Sequence, residues 1–408
     1  MTISVLAGRI QIVVEDCMAA LARMPADSVD CIVTSPPYWG LRDYGVEGQI
    51  GMEPTLAEHL SVMVEVFEQL RRVLKPTGTC WLNYGDCYAA APNGRSAAEC
   101  KAAGTDDRTF RDKPFSTIGG SIKPKDLLML PHRLAIALQD AGWWVRSEII
   151  WGKPNPMPDS SGAYRPSSAH EKIFMLTKSD DADVWRARDT GEISFAPDLS
   201  ERCRLITDPA REGARWLRMG AFYDAEAVRQ GLAETSIERL QMPDGWDTGA
   251  GGHGSHHREG REKAKTLDKQ RGHGRRHDGF NDRWDQMSKD EQSACGRYLR
   301  NYEPAPLTVW PMATKPFSEA HFATFPPELA ERCILAGCPK GGIVLDPFGG
   351  AGTVGLVAAR HGRQAILIEL NPEYAGIAKR RIEKEWRVQD APSISVGPGP
   401  LFGSEAAE

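Results

Sequence analysis

The stretch Val29-Asp30-Cys31-Ile32-Val33-Thr34, followed directly by Ser35-Pro36-Pro37-Tyr38, says most about the fold of this chain. The apolar run is typical of a buried strand. Two prolines end that strand, because they cannot donate to a sheet and they hold the following backbone in an extended path. Ser35 is therefore predicted at the carboxyl end of a strand, which is where open α/β sheets carry their ligands.

Strands and helices alternate on both sides of this stretch. Strands are predicted over 10–14, 79–84, 143–151, 172–177, 342–346 and 364–368, and helices over 18–23, 56–74, 124–141, 327–336, 353–361 and 372–386. In the helix over 56–74, apolar residues recur three or four positions apart, as on one face of an amphipathic helix. The alternation predicts an α/β protein with a doubly wound parallel sheet covered by helices on both faces.

The chain has 408 residues, which exceeds the usual size of a single domain. The alternating pattern stops at about residue 180 and resumes after about 305. Within that interval, 251–283 holds few apolar residues and carries nine lysines and arginines against five acidic residues, so it cannot fold alone. We predict two halves of one domain, 1–180 and 306–390, an inserted and partly flexible region over 181–305, and a tail over 391–408.

Composition excludes several classes of protein. The net charge of −5 argues against a uniformly basic nucleic-acid binder, so any contact with nucleic acid must come from a local patch. No apolar run is long enough to span a membrane, and the first ten residues lack the features of a signal peptide, so we expect a cytoplasmic protein without a membrane partner. Nine cysteines without a C-x-x-C pair favour free thiols over disulfides or a metal site. Five histidines lie between 253 and 277, where a solvated loop near phosphates is favoured over metal binding.

A glycine-rich turn, Asp346-Pro347-Phe348-Gly349-Gly350-Ala351-Gly352-Thr353, lies between a predicted strand and a predicted helix. Glycines allow close approach to a ligand, and the helix start offers free N–H groups. Glu369 ends the next strand, 23 residues after Asp346, where doubly wound folds place an acid that binds ribose hydroxyls. No Gly-Lys-Ser/Thr follows, which argues against a Walker loop. Asp346 would repel a pyrophosphate but could accept from an ammonium group, and this charge favours S-adenosylmethionine over a dinucleotide.

With both motifs in view, the chain resembles the bacterial and phage DNA amino-methyltransferases. These carry an Asp/Asn/Ser-Pro-Pro-aromatic tetrapeptide, here Ser35–Tyr38, and an acidic, glycine-rich cofactor loop, here 346–352. The order of the two motifs is similar to that of the beta group of the family. The resemblance covers about 8–90, 122–180 and 305–388. It implies a Rossmann-like methyltransferase sheet in circular order, with the catalytic half first, the cofactor half last and a target-recognition region inserted between them.

The resemblance also implies roles for individual residues. The expected catalytic residues are Ser35, Pro36, Pro37 and Tyr38. The expected cofactor-binding residues are Asp16, Lys315, Phe325, Asp346, Pro347, Phe348, Gly349, Gly350, Gly352, Thr353 and Glu369. Arg165 and His170-Glu171 fall where the family has a motif that supports the target-base pocket, although a structural hydrogen-bonded pair is the commoner role for His170-Glu171.

In this family a serine in the tetrapeptide usually accompanies methylation of cytosine N4, and an aspartate accompanies adenine N6. We therefore expect a cytosine-N4 DNA methyltransferase that flips its target out of duplex DNA, with Tyr38 stacking on the base and no metal. Adenine N6, an RNA or protein amine, and a catalytically silent binder stay as alternatives. The implied partners are duplex DNA, a second copy of the chain and a cognate restriction endonuclease. Cytosine-C5 chemistry is disfavoured, because it needs a reactive thiolate and Cys31 lies inside an apolar strand.

Overall fold

The computed structural model describes residues 1–41, 46–91, 115–156, 165–187, 193–195, 216–228, 307–314 and 326–386. Within these, the strands are β1 Thr2–Val5, β2 Ile10–Val14, β3 Val29–Thr34, β4 Leu74–Tyr84, β5 Trp144–Gly152, β6 His170–Thr177, β7 Ala182–Ala187, β8 Ile193–Phe195, β9 Trp216–Gly220, β10 Val309–Pro311, β11 Ile343–Asp346 and β12 Gln364–Glu369. The helices are α1 Cys17–Arg23, α2 Leu56–Val73, α3 Leu130–Asp140, α4 Pro327–Gly337, α5 Thr353–Arg360 and α6 Pro372–Glu385, with a single 3₁₀ turn at Glu226–Val228.

The chain divides into two units. The first contains Met1–Val184, Met219–Ala227 and Thr308–Glu408, and the second contains Trp185–Arg218 and Val228–Leu307. Most of the second unit lies outside the described residues, as does the tail after 386. The roles predicted for the inserted region and the two halves are not tested by this division and stay predictions.

Nine strands form one sheet in the order β1-β2-β12-β11-β3-β4-β6-β5-β10. The five strands from β2 to β4 in this order pair in parallel. Helices α1 and α3 pack on α2, while α4 and α6 pack on α5, as expected for the two helical layers of a doubly wound fold. The α/β class and the Rossmann-like sheet predicted from the sequence are therefore confirmed, with strands from the beginning and end of the chain in one sheet. A second sheet has three strands in the order β8-β7-β9.

The sheet is mostly parallel, as expected, with an antiparallel strand toward each side. Strand β6 runs antiparallel to β4 and β5, and β1 runs antiparallel to β2. A parallel neighbour needs a crossover, usually a helix, whereas the described part of the connection from β5 to β6 contains none. Strand β1 was not predicted.

Helix α3 is shorter than its leucine pattern predicts. It begins at Leu130 rather than 124, because Lys125 and Met129 adopt positive φ angles of 70° and 56° that a helix cannot contain. Leu127, counted in the predicted apolar stripe, is instead 39% exposed. The other three leucines of the stripe, Leu130, Leu134 and Leu138, are fully buried. The apolar face predicted for this helix is therefore present from Leu130 onward.

The strand order places a switch point at the centre of the sheet. Strands β3 and β11 are parallel neighbours, and the chain leaves them in opposite directions: from β3 through α2 to β4, and from β11 through α5 to β12. Ligands in such sheets bind outside the carboxyl ends of the strands at this point. In the described part of the chain, no helix has the length and apolar character to cross a membrane.

Candidate active site

The serine tetrapeptide and the glycine-rich turn leave the sheet side by side. Leu345 of β11 pairs with Ile32 of β3, so the two strands end at the same edge. The last residues of the strands are joined directly, because Thr34 Oγ1 donates to Asp346 Oδ1 at 2.9 Å. Ser35 follows the first of these residues and Pro347 follows the second. The two motifs therefore begin next to each other at the switch point, where sheets of this kind bind their ligands.

The backbone of the glycine-rich turn leaves no room for a side chain at two of its glycines. Gly352, at the start of α5, has a φ of 76°, and a Cβ there would meet Ala378 Cβ at 3.0 Å. Gly349 donates to the Ile368 carbonyl at 2.7 Å, and a Cβ on it would lie 2.9 Å from Leu367 Cβ. The turn is thus pressed onto strand β12, and glycine is needed for this close approach.

Arg381 of α6 holds the far side of the turn. Its Nη1 donates to Thr353 Oγ1 at 2.8 Å and to the Ala351 carbonyl at 3.2 Å, and its Nε pairs with Glu385 at 2.9 Å. Arg381 is buried, so these contacts are shielded from water. Arg381 could not be predicted from a local motif, because it lies in an ordinary amphipathic helix, 28 residues after Thr353.

Glu369 braces the same turn from the end of β12. Its Oε2 accepts from the Gly350 N–H at 2.8 Å and its Oε1 accepts from the Asn371 N–H at 2.9 Å. Burial raises the pKa of Glu369, while these backbone donors act in the opposite direction. Each carboxylate oxygen retains acceptor capacity beyond one backbone bond, which is the capacity that two ribose hydroxyls would use.

Asp346 is a buried carboxyl at the end of β11. Burial raises its pKa to about 7, the nearby Glu369 charge acts in the same direction, and the hydrogen bonds from Phe348 N–H and Thr34 oppose the shift. Both of these bonds go to Oδ1. A buried carboxyl with so raised a pKa would be stabilised by a cation. The ammonium of S-adenosylmethionine supplies one, so the donor and acceptor set of this turn fits that molecule.

The remaining predicted cofactor residues lie within the turn, near it, or outside the described residues. Pro347 is buried, and Phe348 is half-buried against the main core. Asp16 caps α1, where its Oδ1 accepts from the Ala19 N–H at 3.0 Å. Asp16 also lies at the same edge as Glu369, because Val14 pairs with Glu369 and the Glu15 N–H bonds to the Glu369 carbonyl at 3.1 Å. Lys315 and Phe325 lie outside the described residues.

The tetrapeptide is held by a polar network. The Tyr38 hydroxyl donates to Glu171 Oε2 at 3.0 Å and lies 3.3 Å from Ser35 Oγ. Asn83 Nδ2 donates to the same carboxylate oxygen at 3.2 Å, and Lys153 forms an ion pair with Glu171 Oε1. Burial is the main cause that raises the pKa of Tyr38 well above its usual range, and the charge of Glu171 acts in the same direction. The phenol therefore stays neutral.

Glu171 was expected only as part of a supporting motif, and Lys153 and Asn83 were not predicted from the sequence. Both missed residues lie at strand ends: Asn83 near the end of β4, and Lys153 directly after β5. The carboxyl ends of β3, β4 and β5 share one edge of the sheet, and polar residues at those positions were the available signal. Antiparallel β6 brings its first residues, including Glu171, to that same edge.

The Tyr38 ring is fixed by its neighbours. It meets the Tyr84 ring edge-on at 4.8 Å between centroids, and a Cβ on Gly85 would lie 2.6 Å from Tyr38 Cε2. Tyr84 OH is 2.8 Å from His59 Nε2, and His59 Nδ1 is 2.8 Å from Glu53 Oε2. Trp39, which follows Tyr38, is a buried core residue that donates to the Glu53 carbonyl at 2.8 Å.

Other residues singled out in the sequence fall in different places. Cys31 is buried as predicted, and burial raises the pKa of its thiol well above its usual range. The Arg165 guanidinium lies over the Tyr88 ring at 3.5 Å from its centroid. The histidines between 253 and 277 lie outside the described residues. Among the residues that are described, no cluster of three His, Cys, Asp or Glu side chains could hold a metal ion.

These features define a class: an α/β protein in which a serine tetrapeptide lies beside an acidic glycine-rich turn at the switch point of the sheet. A family model for N6 and N4 methyltransferases, described as DNA methylase, matches residues 29–380. The chain belongs to this family of S-adenosylmethionine-dependent DNA amino-methyltransferases.

Individual relatives agree with the family. The chain is 36% identical to the Type II methyltransferase M.Cfr9I of Citrobacter freundii over 370 residues, which cover 91% of this chain and 86% of the relative. It is 32% identical to the Type II methyltransferase M.SmaI of Serratia marcescens, over 91% of this chain and 90% of the relative. Among solved structures, it is similar to the cytosine-N4-specific PvuII DNA methyltransferase, with a TM-score of 0.49 and 14% identity over 92% of this chain and 90% of that one.

Proposed function

We infer that this chain is a site-specific Type II DNA methyltransferase that methylates the exocyclic N4 amine of cytosine in duplex DNA. The observation that carries the proposal is the hydrogen bond of 2.9 Å between Thr34 and Asp346, which sets the tetrapeptide beside the cofactor turn. The choice of cytosine depends on Ser35 in the first position of the tetrapeptide. The Type II relatives, which match nearly the whole chain, support sequence-specific action.

The cofactor turn acts by binding and orienting. Asp346 would pair with the ammonium, Glu369 would accept from the ribose hydroxyls, and Asp16 would lie toward the adenine. The Phe348 ring, with Pro347 and the glycines around it, would form the wall of the pocket. S-adenosylmethionine supplies an activated methyl group when bound. The N-terminal N–H groups of α5, after Gly352, suit its carboxylate.

The tetrapeptide acts on the amine of the target base. The nitrogen lone pair is conjugated with the ring, which makes the amine a weak nucleophile. Ser35 Oγ and the Pro36 carbonyl would accept from its two N–H bonds and so raise the electron density on nitrogen. Holding nitrogen in line with the methyl carbon is the larger effect, worth roughly 7–11 kcal/mol at best. Pro37 keeps the acceptors in an extended, rigid path, and the base must leave the duplex to reach them.

The partners follow from the same proposal. Duplex DNA would be read by the inserted region, 181–305, in which a local excess of positive charge suits a phosphate backbone. A Type II enzyme pairs with a restriction endonuclease that cuts the same site, and modification of that site would protect it from cleavage. The homodimer suggested by the beta-group resemblance is tested by sedimentation of the purified chain with and without DNA.

Nucleoside analysis tests the target base. Unmethylated genomic DNA is treated with the chain and labelled S-adenosylmethionine, digested to nucleosides and analysed by mass spectrometry. We expect N4-methylcytosine. Label in N6-methyladenine would transfer the proposal to the other amine that this family modifies, and label only in RNA or protein added to the same reaction would reject DNA as the substrate.

A further inference from the structure

The network around Tyr38 has a defined hydrogen-bond direction. An ionised carboxylate only accepts, so the 3.0 Å contact with Glu171 Oε2 uses the single hydrogen of the Tyr38 hydroxyl. In the 3.3 Å contact with Ser35, the phenol oxygen must then be the acceptor and Ser35 Oγ the donor. The lone pairs of Ser35 are consequently left for a ligand. Reversing the direction would instead present a hydrogen to the incoming amine and oppose its binding.

Both carboxylate oxygens of Glu171 have a donor beside the Tyr38 hydroxyl. Lys153 pairs with Oε1, while Asn83 donates to Oε2 at 3.2 Å. The Lys153 ammonium itself lies over the Trp151 ring, 4.5 Å from its centroid. The side chains of Lys153 and Glu171 are only 20% and 19% exposed, so this pair is shielded in a way that an exposed surface ion pair is not.

Methyl transfer creates a need for such a carboxylate. When the amine nitrogen bonds to the methyl carbon and the carbon–sulfur bond breaks, the positive charge of the sulfonium moves to nitrogen, which then carries one proton too many. Ser35 is not basic enough to keep that proton. Among the described residues, Glu171 is the carboxylate joined to Ser35 through a chain of hydrogen bonds.

We propose that Glu171, with Lys153 as its counter-ion, is a positioning residue that orients Ser35 through Tyr38 and receives the proton released by the methylated amine. The N–H bond breaks as a Ser35 O–H bond forms. The original Ser35 proton passes to the Tyr38 oxygen, and the original Tyr38 proton passes to Glu171. The base loses its positive charge, Glu171 loses its negative charge, and Ser35 and Tyr38 end unchanged.

This inference rests on the proposed function, and the experiment separates the two. Single-turnover methyl transfer to unmethylated genomic DNA is measured for the wild type, Glu171→Gln, Tyr38→Phe and the double variant, together with Kd for S-adenosylmethionine and for DNA. Glu148→Gln is the matched control, because Glu148 pairs at 2.7 Å with Lys172, the residue next to Glu171. If the wild type modifies no DNA, the proposed function itself fails.

We expect Glu171→Gln and Tyr38→Phe each to slow the single-turnover rate on the order of 100-fold, with both Kd values within about twofold of wild type. The double variant should be no slower than the slower single variant, because both changes break one chain. Glu148→Gln should keep the wild-type rate. A wild-type rate in Glu171→Gln, multiplicative losses in the double variant, or a loss explained by weaker cofactor binding would overturn the inference. Tyr38→Phe keeps the ring in place, so the test stands even if Glu171→Gln folds poorly.

Discussion

Thr34 and Asp346 lie 312 residues apart in the chain, yet Thr34 Oγ1 donates to Asp346 Oδ1 at 2.9 Å inside the sheet. Both side chains are buried, so the bond has no competition from water. It connects the strand that leads into the tetrapeptide with the strand that leads into the cofactor turn. In the proposed function, this junction would keep the two motifs beside each other.

Replacing Thr34 with Val should weaken cofactor binding without unfolding the protein. The change keeps the shape of the side chain and removes the hydroxyl that lowers the pKa of Asp346. A smaller fraction of Asp346 is then ionised near neutral pH. We therefore expect Kd for S-adenosylmethionine at pH 7 to rise about tenfold. This change corresponds to about 1.5 kcal/mol, the value typical of a hydrogen bond to a charged group. Calorimetric titration measures it, and an unchanged Kd would show that the junction does not tune Asp346.

Cofactor affinity should depend on pH through Asp346. Its raised pKa of about 7 means that the free protein gains the charged carboxylate only as pH rises through that value. Since an ammonium group binds the charged form, affinity for S-adenosylmethionine should increase from pH 5.5 to pH 7. Asp346→Asn should bind more weakly at pH 7 and lose most of this dependence. The same pH dependence in Asp346→Asn as in the wild type would exclude Asp346 as its source.

The tetrapeptide should be dispensable for cofactor binding and necessary for transfer. Ser35→Ala removes an acceptor for the amine, and Tyr38→Ala removes the aromatic face together with the link to Glu171. We expect Kd for S-adenosylmethionine to stay within about twofold in both variants, while labelled methyl incorporation into DNA falls at least about 100-fold. Wild-type turnover in Ser35→Ala would end the assignment of the tetrapeptide as the reactive centre.

Arg381 should stabilise the cofactor turn. Arg381→Met removes the buried donors to Thr353 Oγ1 and the Ala351 carbonyl. Leaving such acceptors unpaired costs about 1–3 kcal/mol, so we expect a lower free energy of unfolding and weaker binding of S-adenosylmethionine. The neighbouring Arg380→Met is the control, because Arg380 is exposed on the same helix. Equal stability of the two variants in urea unfolding would contradict this role.

The central part of the fold could be predicted because its signals are local. The apolar runs of β3, β11 and β12 predict buried strands, and the three- or four-residue spacing of apolar residues predicts helix α2. The beginning of α3 could not be predicted from leucine spacing, because the backbone before it bonds to a distant segment. The Lys125 N–H donates to the Ala89 carbonyl and the Leu128 N–H to the Cys87 carbonyl, both at 2.9 Å, and Lys125 and Met129 have positive φ angles.

The site shows the same division. Ser35, Tyr38, Asp346 and Glu369 belong to short motifs that can be seen along the chain, and the structure brings them to one edge. Lys153, Asn83 and Arg381 act through contacts across strands or between a helix and a turn, so their importance appears only after the sheet is assembled. Glu171 reaches Tyr38 because β6 runs antiparallel to β4. The direction of a strand cannot be predicted from the local sequence pattern.

A crystal structure of the chain with S-adenosylmethionine and DNA tests the central claim most directly. We predict that the ammonium contacts the Asp346 carboxylate and that the methyl carbon lies about 6 Å from Ser35 Oγ, which leaves room for one amine nitrogen between them. A cofactor bound elsewhere, or a methyl group directed away from Ser35, would contradict the account.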